Sequence, residues 1–241
     1  MTSKASRAAV YIVGAPRPRI GKTLLARLAA DYARTDGRQV SVFDINPHDP
    51  VISEYFPRSS RVIDIQQTAD QMALFDALVR NDGVTKVVDI GHMSFQRFFT
   101  LAEQIDAFTE MRRHRIEVIT LMLMDLHSTT RDAFADLTAR FPDSLTVPVE
   151  NVAVAPFPRD IADGQDTNPP FRLPPLHLGL RPFVANPNRS FFDFHDGRAD
   201  GVAPATALKL QEWTREVFLA FRELELGLLL RKLRSSLLKA S

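Results

Sequence analysis

The stretch "GAPRPRIGKTLLARLAADYA" (residues 14–33) decides how this chain is read. It follows a short apolar run, "AVYIVG" (9–14), and opens a pattern, "KTLLARLAADYART" (22–35), whose apolar residues recur at helical spacing. A strand, a turn and a helix therefore meet at Gly21. Backbone N–H groups at a helix amino terminus bind anions, and the helix dipole adds to this. With "GKT" at 21–23, Lys22 would reach the outer phosphates of a nucleotide and Thr23 would offer its hydroxyl to Mg²⁺. The usual G-x-x-x-x-G-K-[ST] loop needs glycine at position 16, where this chain has Pro16. The competing reading is a plain strand–turn–helix junction with a chance GKT.

Outward from that junction, apolar β-branched runs alternate with helical patterns. Strands are expected at 9–14, 39–45, 86–91, 117–124 and 144–151, and helices at 22–35, 68–81, 94–108 and 128–141. Nearly all-apolar strands alternating with helices predict a doubly wound, mostly parallel twisted sheet with helices on both faces, an α/β fold. A nucleotide-binding domain over 1–203 is expected to include an irregular Pro-rich segment, 155–203, with a short strand near 171–176. A C-terminal amphipathic helix over 204–241 is expected to pack on the domain or on a partner.

Composition excludes more than it assigns. The 241 residues suffice for a sizeable core. The net charge of +1 gives no global pull towards nucleic acid or membrane. With no cysteine, there are no disulfides, thiolate metal sites or cysteine nucleophiles. The amino terminus reads as a first strand rather than a signal peptide, and no window approaches the roughly 20 apolar residues of a membrane span. A cytoplasmic protein is expected.

The loop "RPRIGKT" (17–23) resembles K-G-G-x-G-K-[ST], the deviant Walker A loop of the ParA/MinD family of P-loop ATPases. "VSVFDINPHDP" (40–50) is similar to that family's second motif, a strand ending in D-x-D-P, and "KVVDIG" (86–91) to its Walker B strand. The resemblance implies a P-loop NTPase sheet, ATP and Mg²⁺ binding, weak ATPase activity and a nucleotide-sandwich homodimer. It also implies positioning or partition work with a cargo or adaptor protein, on DNA or on an anionic membrane surface, and so a peripheral place on membrane or nucleoid.

By the same resemblance, Gly21, Lys22, Thr23 and Leu24 form the phosphate cradle, with Lys22 on the β/γ-phosphates and Thr23 on Mg²⁺. Asp89 holds the metal's water shell, and Asp44 lies near the attacking water. Asn151 reads adenine, with Pro174 and Leu176 near the base. Arg17 stands at the signature lysine, which reaches across the dimer to the partner's phosphates.

The departures are specific. Arg17 carries a planar fork in place of an ammonium. Pro18 has no N–H. Arg19 puts a Cβ where backbone should approach phosphate. Asn46 replaces the second acid of D-x-D. Binding is expected to survive these changes and turnover to be slow. Two rival functions remain: a non-hydrolysing scaffold that keeps the sheet, and a small-molecule kinase or ligase on the same fold.

The six histidines show no metal-ligand spacing, so zinc is not expected. The basic run "MRRHR" (111–115) reads as a solvated loop in preference to a DNA-facing patch, and "RSFFDF" (189–194) as packing. In the last helix Leu226, Leu229, Leu230, Leu233 and Leu237 form one stripe, with Arg231, Lys232, Arg234 and Lys239 off it. Burial of this stripe against protein is expected, with a membrane-lying helix as the alternative.

Overall fold

The computed structural model describes residues 8–158, 161 and 170–240, with side chains for all of these except 232 and 234–240. Strand β1 (Ala9–Gly14) is buried at every position, as befits a central strand covered on both faces. Its side chains alternate. Ala9, Tyr11 and Val13 enter one core layer, while Val10 and Ile12 enter the other. Around it run β2 (Val40–Ile45), β3 (Ser60–Val62), β4 (Thr85–Ile90), β5 (Glu117–Leu123), β6 (Leu145–Asn151) and β7 (Phe171–Leu173). These make one seven-stranded sheet in the order β3-β2-β4-β1-β5-β6-β7, with every pairing parallel.

Helices cover both faces. The Tyr11 side holds α1 (Lys22–Thr35), α2 (Val51–Tyr55), the short α7 (Arg181–Val184) and α8 (Phe191–His195), and the long α9 (Pro204–Ala240). The Ile12 side holds α3 (Thr68–Leu78), α4 (Phe95–Gln104), α5 (Ala107–Arg113) and α6 (Ser128–Arg140). The doubly wound α/β fold read from the sequence is the fold of the chain. "RSFFDF" packs as read, with Phe191 and Phe194 fully buried.

Three local expectations are corrected. The helix over 94–108 is two helices, broken at Asp106, which adopts a left-handed φ of 51°. Aspartate tolerates that conformation better than most residues. The break turns Phe108 and Met111 into the core. Consequently "MRRHR" starts in helix α5 rather than in a loop, with Arg112 paired to Asp143 and Arg113 to Glu110. The edge strand β3 and helix α2 were not foreseen, because three and five residues are too few to show a period.

The docked face of α9 is also not the stripe expected from the sequence. Leu210, Trp213, Val217, Phe221 and Leu228 are buried, whereas Leu226, Leu229, Leu230 and Leu233 are exposed. Leu237 lies outside the described side chains. A half-buried carboxylate explains the choice of face. Glu225 accepts from the Tyr11 hydroxyl, from Tyr32 Oη at 3.1 Å and from Arg38 Nη1 at 2.7 Å. Burial, and then Glu225 itself, push both phenols well above their ordinary range, so they stay donors. Glu225→Ala would strand these donors. It is expected to lower stability by roughly 3 kcal/mol in urea unfolding, with Glu225→Gln milder.

Candidate functional site

The loop after β1 lies at the carboxyl ends of the central strands, where doubly wound sheets place ligands. Lys22 begins α1. Gly21 precedes it at φ 100°, ψ 18°, and no side chain caps the helix. Its first amides are therefore left for an anion. A Cβ on Gly21 would stand 2.4 Å from Asn151 Nδ2, so both sterics and φ require glycine here. Arg19 takes a left-handed φ of 60°. The backbone turn here suits glycine and an arginine occupies it, a conformation that costs an L-residue about 1–2 kcal/mol.

Three contacts pin this loop. Asn151, buried at the end of β6, donates through Nδ2 to the Ile20 carbonyl at 3.0 Å. Lys22 Nζ donates to the Arg17 carbonyl at 2.5 Å. Arg17 Nε lies 3.4 Å from Asp125 Oδ2, just beyond the end of β5.

Beside the loop, β2 and β4 pair in a register that sets Asp44 directly opposite Asp89. Thr23 Oγ1 donates to Asp89 Oδ2 at 2.7 Å. Asp44 Oδ2 accepts from the Ser53 amide and hydroxyl, each at 3.3 Å, while Oδ1 has no hydrogen bond of ordinary length among the described residues. Helix α2, which supplies Ser53, is tied to α1 by Arg27, whose guanidinium stacks 3.3 Å from the Tyr55 ring centroid. Asn46 is spent on its own turn, donating to the Asp49 carbonyl at 2.6 Å.

The electrostatics follow from burial. Desolvation lifts Asp44 to about 6 and Asp89 to about 7, and the neighbouring Asp44 adds to the rise at Asp89. Desolvation also lowers Lys22, with Asp89 pulling the other way. The site therefore presents two crowded carboxyls and one ammonium, a set that suits a divalent cation beside phosphates.

A pH dependence follows. Unfolded aspartates lose their protons near pH 4. The folded chain keeps its protons until pH 6–7, so stability is lost as pH rises through that window. With chelator and without nucleotide, the urea midpoint should be higher at pH 5 than at pH 8. The difference should shrink in an Asp44→Asn, Asp89→Asn double variant.

No family model and no curated protein matches the chain. Among solved structures it is similar to a nucleotide-binding protein from Archaeoglobus fulgidus in complex with ADP. The identity is 13%, over 73% of this chain and 85% of that one, with a TM-score of 0.42. It is also similar to the MinC:MinD cell division protein complex of Aquifex aeolicus. There the identity is 13%, over 85% of this chain and 94% of that one, with a TM-score of 0.48. At these values the similarity is one of gross arrangement, and what the site can do is read from its own residues.

The structure brings together Arg17, Gly21, Lys22, Thr23, Asp44, Asp89 and Asn151. Leu24 is half-buried and packs towards the core. Pro174 follows β7, whose Leu173 pairs with Asn151, and its carbonyl accepts from Trp213 Nε1 at 3.2 Å. Leu176 leans on the same core layer. Sequence reasoning missed Asp125 and Ser53. Asp125 carried the signal used for Asp44 and Asp89, an acid at a strand's carboxyl end. Ser53 carried none.

A cleft of about 650 Å³ lies at the opposite, amino ends of β5 and β6, lined by Phe108, Arg112, Arg115, Arg140 and Phe141 among others. Among the described residues no cluster of three or more His, Asp or Glu could hold a metal, and no helix is long and apolar enough to cross a membrane.

Proposed function

We propose that the chain binds ATP with Mg²⁺ at the 14–23 loop and acts as a nucleotide-dependent positioning or partition protein of ParA/MinD type, dimeric when loaded and slow to hydrolyse. The observation that supports this best is the Thr23–Asp89 hydrogen bond at the head of an uncapped helix, with Asp44 alongside. The amides of Gly21 to Leu24 and the Lys22 ammonium would hold phosphate oxygens, and Thr23 with Asp89 would hold the cation and its waters. Bound Mg²⁺ supplies charge neutralisation at the phosphates. The residues here bind, orient and exclude water. Asp44 offers an unused buried oxygen to a water, and Lys22 must leave the Arg17 carbonyl to reach a phosphate. Asn151, holding the loop through Ile20, serves the cradle from behind, and Pro174 and Leu176 lie on the base side of that reading.

A second reading, a binding scaffold without turnover, is favoured by Pro18, which gives the loop no amide, and by Asn46, committed to its own turn. A small-molecule kinase or ligase draws no support from the cleft, which lies at the other end of the strands. Calorimetric titration with ATP and with ADP, each with and without Mg²⁺, tests the proposal. Mg²⁺-dependent saturable binding is expected, and no heat for either nucleotide would overturn it. Phosphate release then separates slow hydrolysis from none.

A further inference from the structure

The phosphate loop is held at residue 17 from two directions. Lys22 is almost fully buried, and its ammonium donates to the Arg17 carbonyl at 2.5 Å. That carbonyl takes the donor that a phosphate oxygen needs. The Arg17 side chain is gripped in turn, with Nε 3.4 Å from Asp125 Oδ2. Asp125 is a fixed anchor: it is buried just beyond the end of β5, and its Oδ1 accepts from the His127 amide at 3.1 Å. The next residue joins the two contacts. Pro18 narrows the backbone conformations open to Arg17, so a held side chain also keeps the carbonyl in place. Downstream, Asn151 donates to the Ile20 carbonyl at 3.0 Å. The span 17–20 is thus fixed at both ends.

We propose, on the footing of nucleotide binding at this loop, that Arg17 and Asp125 form an autoinhibitory latch. Closed, it keeps Lys22 on a main-chain carbonyl and disfavours phosphate. The ligand that opens it is a nucleoside di- or triphosphate, whose oxygens carry the charge that a neutral carbonyl lacks. A bound phosphate draws Lys22 away, the Arg17 carbonyl loses its donor, and the grip on Asp125 loosens. The linkage runs both ways. Whatever factor the latch takes from nucleotide affinity, nucleotide takes from the Arg17–Asp125 contact. Occupancy of a buried site is thereby converted into release of a cation at the surface, where the Arg17 side chain is already 40% exposed.

Calorimetric titration of the full chain with ADP and Mg²⁺ tests this, ADP being used because the proposed dimer is the ATP-loaded one. Asp125→Asn keeps the shape and the acceptor for the His127 amide and removes the charge. It should bind ADP about two- to fivefold more tightly than wild type, the scale of a part-exposed ion pair. Arg17→Ala keeps the carbonyl and frees it from the side chain's anchor, and should tighten binding by a similar factor. The double variant should be no tighter than either single one, since both residues act through one contact. Asp125→Glu retains the charge and should not tighten binding. Circular dichroism and a melting curve check that each variant folds. Three results would each overturn the latch while leaving nucleotide binding in place: single variants no tighter than wild type, single effects that add in the double, or Asp125→Glu tightening as much as Asp125→Asn. Absence of saturable ADP binding in wild type and variants alike would remove the nucleotide reading, and the latch with it.

Discussion

Lys22→Ala is expected to cost the chain its ATP affinity by about 100- to 1,000-fold while leaving the fold in place. A lysine bridging phosphate oxygens at a helix head supplies charge-assisted hydrogen bonds worth roughly 3–4 kcal/mol together, and each 1.4 kcal/mol is tenfold in affinity. Lys22 is almost fully buried, and its ammonium is charged against a desolvation that lowers it. Without nucleotide, that charge rests on the Arg17 carbonyl. Removing it deletes one hydrogen bond from a loop that Asn151 and Asp125 still hold, so stability should change little. Calorimetry on wild type and variant, with circular dichroism and a melting curve on each, checks this. Equal affinities would mean that phosphate is bound elsewhere or not at all.

What the sequence disclosed depended on how local the physics was. Helix α1 was legible to the residue, because an unbroken apolar period starts beside a glycine that must take a positive φ. Asp44 and Asp89 were legible as strand-ending acids. That they face each other across β2 and β4 was not, because strand order is a property of the whole sheet. The same gap hid Asp125, which matters only because β5 lies beside β1 and so under Arg17.

Asn151 shows the limit from the other side. The ParA/MinD resemblance implied a base reader there, and the structure shows its amide engaged on the loop's own Ile20 carbonyl. For α9 the sequence displayed a leucine stripe but not the direction it faces. That was settled by Trp213 and by Glu225, a polar residue whose partners lie 187 or more positions away.

The loop's substitutions imply the second large effect. Restoring it with Arg17→Lys, Pro18→Gly and Arg19→Gly is expected to raise the rate of phosphate release at saturating ATP by about two orders of magnitude. One preorganised donor aimed at developing charge contributes on that scale, and Pro18 leaves the loop one amide short. The structure shows why the gain should come without rebuilding the loop. Arg19 already holds the left-handed turn a glycine would take, so Arg19→Gly removes a Cβ and its strain together. Arg17 is the residue whose freedom changes most. Its guanidinium is now paired in its own chain with Asp125, where a residue that reaches across to a partner's phosphates would be withheld. A lysine there makes a weaker, single-point contact with Asp125 and is more readily released. The control is Asp125→Asn in the wild-type loop. It should free Arg17, and it should raise turnover by less than the triple variant, because it restores no amide. If wild type already matches the triple variant, Pro18 and Arg19 are not what limits hydrolysis. If neither chain releases phosphate while both bind ATP, the missing acid at Asn46 is decisive and the chain is a binding scaffold.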